Sequence, residues 1–266
     1  MFDAHLHVDR LQSPDEALSR ARKAGLRGFL SPSVGPETWE AQARLGAAHN
    51  DVYTAYGIHP WCAATLSDEE RLQTLRALRE QLRSSSHVAL GEMGLDHHPS
   101  FAPETHQAQE KCFVAQIALA HIVELPIVLH CVRAHGRCIE ILRDMGVPTA
   151  GGMVHSFSGS LEVAERYIQL GLHISFSGNL TKPHHKKSRN AAAVVPIERL
   201  LVETDAPDQT PIARGQVENE PAFLIDAIQA LAELRDADPL DVAAQTEQNA
   251  RRLFKLSDGK ATLGPQ

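Results

Sequence analysis

Eight short apolar runs, each followed by a segment of helical periodicity, constrain the fold of this 266-residue chain more than any other feature. Apolar runs of this length predict buried strands, and intervening helices predict that neighbouring strands are parallel. The predicted strands are Phe2–Val8, Leu26–Pro32, Val52–Ile58, Val88–Met93, Ile127–Cys131, Gly151–His155, Leu172–Ser177 and Leu200–Asp205. The predicted helices are Pro14–Ala24, Glu37–His49, Asp68–Ser84, Glu104–Glu124, His135–Met145, Leu161–Leu170 and His184–Val194, with further helical sequence from Pro221 to Phe254.

Eight strand–helix repeats without a linker predict an α/β fold, a closed (β/α)₈ barrel of the TIM type, as a single domain over residues 1–256. Residues 257–266 are expected to form a flexible C-terminal tail. A doubly wound open sheet is the alternative, but the glycine-rich nucleotide turn that this fold carries after its first strand is absent.

Composition narrows the class of protein. The formal charge of −7 argues against a surface coated with basic patches for non-specific DNA binding. No apolar run approaches the roughly 20 residues of a membrane helix, and the sequence begins without a basic-then-apolar signal segment. The four cysteines are scattered, which is typical of reduced thiols. We therefore expect a cytoplasmic protein without a membrane association or an obligate protein partner.

Ionisable side chains stand at the carboxyl ends of the predicted strands, which is the face that carries the active site in such barrels. An isolated buried histidine is usually a satisfied core residue, but here imidazoles and carboxylates come from at least five strands. They are Asp3, His5, His7, His59, Glu92, His130, His155, Glu203 and Asp205. Imidazole and carboxylate together are ligands for divalent Zn, Mn or Fe, and the set exceeds what one catalytic zinc needs. Two ions bridged by a carboxylate account for the surplus.

These residues lie in motifs that resemble those of the TatD family, a branch of the amidohydrolase-like metallohydrolases, over essentially the whole chain. The matching stretches, in chain order, are Asp3–His7, Gly57–Pro60, Gly91–Asp96, Pro126–His130, Val154–Gly159, Ile174–Gly178, Leu201–Pro207 and Asn219–Pro221. The resemblance implies a TIM-like barrel, divalent metals and hydrolysis, often of DNA phosphodiesters from an end.

Carried over residue by residue, the resemblance implies two divalent metal ions (Zn, Mn, Mg or Fe). His5, His7 and Asp205 would hold one ion, His130 and His155 the second, and Glu92 would bridge both. Two departures from the family pattern leave these ligands untouched. Val132 occupies a position that is often Arg, with Arg133 one residue later, and Ser156 occupies a position that is commonly Cys.

The expected function is a phosphodiesterase, an end-acting deoxyribonuclease that uses a hydroxide activated by two metals. Asp205 is the candidate proton acceptor, and His59 is expected to bind or protonate the phosphate. Glu203 is expected to orient the site or hold a weaker ion, and Asp3 to orient a ligand histidine.

A run of basic residues after the seventh strand has two interpretations. It is either a solvated start of a helix, the usual use of such a run, or a guide for the phosphate backbone beside the site. The run comprises Lys182, His184, His185, Lys186, Lys187 and Arg189. Together with His59, we take Arg133, Lys182 and Lys186 as candidate substrate contacts.

Two other functions stay open from the sequence. A metal-dependent amidohydrolase or deacylase would use the same ions on an amide or ester of a small molecule, because barrels host both chemistries. Guiding cations favour phosphate, whereas a closed apolar pocket would favour an acyl substrate. Trp39 and Trp61 are able to stack on bases, although packing is the commoner use of Trp. A non-catalytic metal-binding protein ranks last, because structural zinc sites have four closed ligands.

Overall fold

The computed structural model describes residues 1–256, and in this part of the chain eight strands form one sheet whose order follows the sequence. Each strand pairs in parallel with the next. The strands are β1 (Phe2–Asp3), β2 (Gly28–Pro32), β3 (Val52–Tyr56), β4 (Ala89–Asp96), β5 (Ile127–Val132), β6 (Gly152–Val154), β7 (Leu172–Phe176) and β8 (Leu200–Val202).

Backbone hydrogen bonds just beyond β1 and β8 join the first strand to the last. The N–H of Ala4 donates to the carbonyl of Val202 at 3.0 Å, and the N–H of Asp205 donates to the carbonyl of His5 at 2.9 Å. Together with the seven ladders, this seam closes the sheet. The predicted (β/α)₈ barrel is confirmed.

Helices surround the barrel. They are α1 (Pro14–Lys23), α2 (Pro36–Ala48), α3 (Pro60–Ala63), α4 (Asp68–Ser84), α5 (His106–Val123), α6 (His135–Met145), α7 (Leu161–Gln169), α8 (Lys186–Val194), α9 (Leu224–Arg235) and α10 (Pro239–Leu253). The helical sequence after Pro221 is divided because Asp236 adopts a left-handed backbone (φ 51°), which ends α9. Asp238 then caps α10 by accepting a hydrogen bond from the N–H of Leu240 at 2.7 Å.

Several strands end earlier than the sequence predicts, and the residues that follow them carry the polar groups. β1 stops at Asp3, so His5 and His7 lie beyond it, and β8 stops at Val202. Asp205 has a left-handed backbone (φ 56°), which is incompatible with a strand. The regular hydrogen bonding of the sheet therefore ends at these positions. The backbone beyond them is irregular, and the polar side chains that it carries point toward one centre. Except for the half-buried Val132 at the end of β5, the strand residues are buried, as both faces of a barrel sheet are covered.

Among residues 1–256, no helix combines the length and the apolar character needed to cross a membrane. The predicted tail, 257–266, lies outside the described residues.

Candidate metal centre

The six predicted metal ligands converge at the carboxyl ends of the strands, and none is more than 7% exposed. They line or adjoin a cavity of about 210 Å³ at this end of the barrel. His5 and His7 follow β1, Glu92 lies within β4, His130 within β5, His155 follows β6, and Asp205 follows β8. Side chains that are up to 200 residues apart in sequence therefore share one buried site.

Glu92 stands at the centre, and its two oxygens face two different groups of imidazoles. Oε1 lies 2.8 Å from Nδ1 of His130 and 2.8 Å from Nε2 of His155. These two ring nitrogens are 3.1 Å from each other. One carboxylate oxygen and two imidazole nitrogens thus form one compact set of ligand atoms.

The second oxygen of Glu92, Oε2, faces the histidines that follow β1. It lies 3.4 Å from Nε2 of His5 and 3.7 Å from Nε2 of His7. Oδ1 of Asp205 completes this group, at 3.7 Å from His5 and 3.9 Å from His7. The single carboxylate of Glu92 therefore joins two separate sets of donors.

The donor atoms around Oε2 fit a metal ion better than they fit one another. Nε2 of His5 and Oε2 of Glu92 are buried and make no hydrogen bond within the described chain, which is costly for polar atoms. Two ligand atoms that each lie about 2.1 Å from one tetrahedral ion are about 3.4 Å apart. The 3.4 Å between these two atoms matches that spacing. Groups of three donors with all atoms within 4.8 Å include His5–His7–Glu92 and His5–His155–Asp205.

Two outer carboxylates orient the histidines on the Oε1 side. Oδ2 of Asp96 lies 3.2 Å from Nε2 of His130, which leaves Nδ1 of His130 for the centre. Oε1 of Glu203 lies 3.4 Å from Nδ1 of His155 and accepts a hydrogen bond of 2.6 Å from the N–H of Ser156. Such carboxylate–histidine pairs fix the tautomer of a ligand imidazole. Sequence reasoning anticipated an orienting role for Glu203 but gave none to Asp96, although Asp96 ends one of the motifs quoted above.

His59 lies 3.2 Å from Oε1 of Glu92 through its Nε2 atom, and with Glu92 and His130 it forms a third donor group. Its other ring nitrogen, Nδ1, accepts a hydrogen bond of 3.1 Å from the N–H of Trp61. When Nδ1 accepts, the proton of the neutral ring is on Nε2. His59 therefore presents an N–H donor, which suits contact with a substrate better than metal ligation.

The imidazoles and carboxylates of the centre shift one another's pKa values. Burial alone would raise the pKa of Glu92, but the surrounding imidazoles, His155 and His59 foremost, lower it well below its ordinary value. Burial opposes protonation of His155, yet the carboxylates of Glu92 and Glu203 raise its pKa well above the ordinary value. Burial raises the pKa of Asp205 to about 6, against the influence of His155 and His5. Glu92 is thus held in its anionic form, as a bridge between two cations would require.

Gln209 was missed by the sequence analysis. Its amide nitrogen donates to Oδ2 of Asp205 and, at 2.5 Å, to Oγ of Ser156. Its amide oxygen accepts from Ser177 and, at 2.6 Å, from Nδ2 of Asn179. The side-chain amide of Gln209 thus donates two hydrogen bonds and accepts two. The four bonds fix the amide, and the amide in turn holds the orientation of Asp205. No local sequence signal marks Gln209, because its partners come from three different loops.

Asp3 does not play the role expected for it. Its carboxylate accepts hydrogen bonds from Thr204, 2.9 Å from the N–H and 2.5 Å from Oγ1, and from the backbone N–H of His5 at 3.3 Å. No ring nitrogen of a ligand histidine contacts it. Asp3 instead fastens the backbone of the segment after β1 to that after β8.

The predicted basic contacts lie outside the cavity wall. Arg133 follows β5 and is exposed, Lys186 begins α8 and is exposed, and Lys182 donates to Oδ1 of Asn179 at 2.8 Å. The cavity is lined instead by Arg10, which pairs with Asp208 at 3.1 Å, and by the indole of Trp61. Arg10 lies in a short turn after His7, where the sequence shows no charge run.

A closed eight-stranded barrel with imidazoles and carboxylates gathered at its carboxyl rim defines the class of barrel-fold, metal-dependent hydrolases. The family model "TatD related DNase" matches residues 2–255, and the chain belongs to this family. It is 36% identical over 268 residues to the "3'-5' ssDNA/RNA exonuclease TatD" of Erwinia tasmaniensis, covering 96% of this chain and 100% of that protein.

Two further relatives agree with this assignment. The chain is 32% identical over 260 residues to "Uncharacterized metal-dependent hydrolase YabD" of Bacillus subtilis, covering 97% of this chain and 100% of that protein. The crystal structure of YJJV, a TatD homolog from Escherichia coli K12, superposes with a TM-score of 0.87 at 32% identity, covering 97% and 98% of the two chains. The chain is accordingly an enzyme, a metal-dependent hydrolase.

Proposed function

We propose that this enzyme hydrolyses phosphodiester bonds of DNA from an end and uses two divalent ions held on either side of Glu92. The observation that carries the proposal is the division of donors between the two oxygens of Glu92. His130 and His155 gather at Oε1, whereas His5 and His7 gather at Oε2. Asp205 would complete the second set.

When bound, two such ions lower the pKa of a water and neutralise the charge that builds up on a transferred phosphoryl group. The chain supplies the remaining functions. Asp205, held by Gln209, would accept a proton beside His5 and His7. Glu92 keeps the two donor sets at a fixed separation, and Asp96 and Glu203 keep the rings of His130 and His155 turned toward it.

Substrate contacts follow from the cavity wall. His59 presents Nε2–H next to the centre and would donate it to a phosphate oxygen. The indole of Trp61 is 42% exposed, and its Nε1–H donates to Asp96 at 2.7 Å, which fixes the orientation of the ring. A fixed, exposed indole at the mouth is suited to stack on a base. This feature favours a nucleic acid over a small acyl substrate.

Lys186 and Lys187 would attract the phosphate backbone toward this rim, because both are exposed at the start of α8. If they guide DNA, activity falls as salt rises, since neutralised phosphates release counterions. The double variant Lys186→Ala, Lys187→Ala should flatten the dependence of kcat/KM on salt. Arg79 and Arg83 on α4 provide a control pair, and an unchanged slope in the Lys186/Lys187 variant would remove the guide from the proposal.

The decisive experiment assays metal-stripped protein restored with Mn, Mg or Zn. The substrates are single-stranded DNA, a simple phosphodiester and an acylated amino acid. We expect hydrolysis of DNA and of the phosphodiester, and two ions bound per chain. Turnover of the acylated amino acid alone would establish a deacylase instead, and no turnover of any substrate with two ions bound would contradict both.

We also propose a cytoplasmic location, which agrees with four cysteines that remain free in the structure.

A further inference from the structure

A second cavity, of about 410 Å³, lies at the amino ends of the strands and thus at the end of the barrel opposite the metal centre. We call it the basal cavity. Gly151 and Gly171 line it immediately before β6 and β7, Arg199 lines it immediately before β8, and Arg252 lines it from the last turn of α10. Its volume is in the range of about 300–1,000 Å³ that is usual for ligand pockets.

Two guanidinium groups of this cavity have no counter-ion within residues 1–256. Arg199 donates to the carbonyl of Gly171 at 3.2 Å, and Arg252 donates to Oδ1 of Asn249 at 3.3 Å. Among residues 1–256, neither forms an ion pair with a carboxylate. By contrast, Arg22 pairs with Asp51 at 2.6 Å in an ordinary ion pair. Two arginines without a carboxylate partner in the described part of the chain thus line one cavity, in a chain whose formal net charge is −7.

His173 adds a buried polar group to the same cavity. Its side chain lines the cavity, the residue is only 9% exposed, and Nδ1 makes no hydrogen bond within the described residues. Burial, and then the charges of Arg199 and Arg252, lower the pKa of His173 to about 4. Within residues 1–256, the side-chain charges that act on this ring are those of Arg199 and Arg252, so its surroundings are positive. The neutral ring donates its proton to the backbone of Gly152, so the unpartnered Nδ1 is an acceptor that would take a hydrogen bond from the O–H of a protonated phosphate group.

We propose that the basal cavity binds a small anion of the phosphate class, held by Arg199 and Arg252 with His173 beside it. A guanidinium offers parallel N–H donors that match two oxygens of a phosphate, and two of them match a dianion. The ligand is either inorganic phosphate or a phosphate monoester such as a nucleoside monophosphate. The site is separate from the metal centre and does not depend on the function proposed for it.

The test follows the imidazole Hε1 resonance of His173 by NMR, assigned with the variant His173→Gln. This resonance reports on the basal cavity alone, so binding at the metal centre does not interfere. The metal-loaded enzyme is titrated with inorganic phosphate and, separately, with deoxyadenosine monophosphate at constant ionic strength. We expect a saturable shift, and the ligand that saturates at the lower concentration identifies the source of the phosphate group.

The variants Arg252→Gln and Arg199→Gln should each raise the apparent dissociation constant at least about tenfold, because each removes a charge-assisted pair. Arg252 is exposed, so its variant tests the site even if Arg199→Gln disturbs folding. Arg143→Gln, on the exposed face of α6, is the matched control and should leave the constant unchanged. Absence of a saturable shift with both ligands, or equal apparent dissociation constants for the Arg252→Gln variant and the wild type, would overturn the proposal.

Discussion

Replacement of Glu92 by Gln tests the central feature of the site, since it keeps the shape of the side chain and removes its charge. Three imidazole nitrogens lie within 3.2 Å of Oε1 and two within 3.7 Å of Oε2. Whichever way the amide turns, its NH₂ group must face one of these sets. An NH₂ group cannot bind a metal ion, so one ion loses its shared ligand.

The expected loss of activity on Glu92→Gln can be worked out from the effect of removing groups that do not contact the metal themselves. Loss of a group that merely orients a ligand lowers metal affinity or activity by about 10–100-fold. Glu92 contacts both donor sets directly, so Glu92→Gln should lower kcat/KM by more than about 100-fold, or more than about 2.7 kcal/mol in transition-state stabilisation. The metal content should fall from two ions per chain to one or fewer.

Metal analysis of the purified variant and kinetics on single-stranded DNA together provide the assay. Glu110→Gln is the matched control, because Glu110 pairs with Arg137 on the helical surface and has no contact with the cavity. The reasoning is refuted if Glu92→Gln retains two ions and hydrolyses DNA at the rate of the wild type.

Three further predictions use other residues. Gln209→Leu frees Asp205 from its hydrogen bond, so kcat should fall about tenfold with KM nearly unchanged in steady-state kinetics on DNA. Trp61→Ala should raise KM for single-stranded DNA by about 5–150-fold, the range for loss of one stacked base, without a similar change for a simple phosphodiester, whereas Trp39→Phe should not. The pKa of His173 is about 4 in the folded chain and 6.5 in its ordinary state. As the pH falls, the unfolded chain therefore binds a proton at this residue before the folded chain does. The free energy of unfolding should fall as pH drops from 6.5 to 4, by up to about 3 kcal/mol from this group, and denaturant titrations of His173→Gln should show a shallower fall.

The sequence predicted the barrel and the convergence of the candidate ligands for the same reason. Apolar runs mark the strands, and a parallel barrel brings the carboxyl end of every strand to one rim. Histidines and carboxylates placed at strand ends, such as His130 and Asp205, are therefore neighbours whatever the loops do. The local geometry was not predicted, since β1 ends at Asp3 and His5 and His7 lie beyond it.

The polar network around the ligands was not predictable in the same way. Gln209 reaches Ser156, Asn179 and Asp205 because three loops pack together, and no periodicity encodes that packing. The basic run after β7 is conspicuous in sequence, yet none of its residues lines the cavity. Arg10, an isolated residue in a turn, lines the cavity instead.

The seam between β1 and β8 has a consequence for how this protein is made. During synthesis His5 emerges from the ribosome 200 residues before Asp205, whose N–H bonds to the carbonyl of His5. A nascent chain that has not reached β8 therefore has neither a closed cylinder nor a full set of donors. Uptake of metal would therefore indicate that synthesis has passed β8, and chains that stop before β8 should remain without nuclease activity.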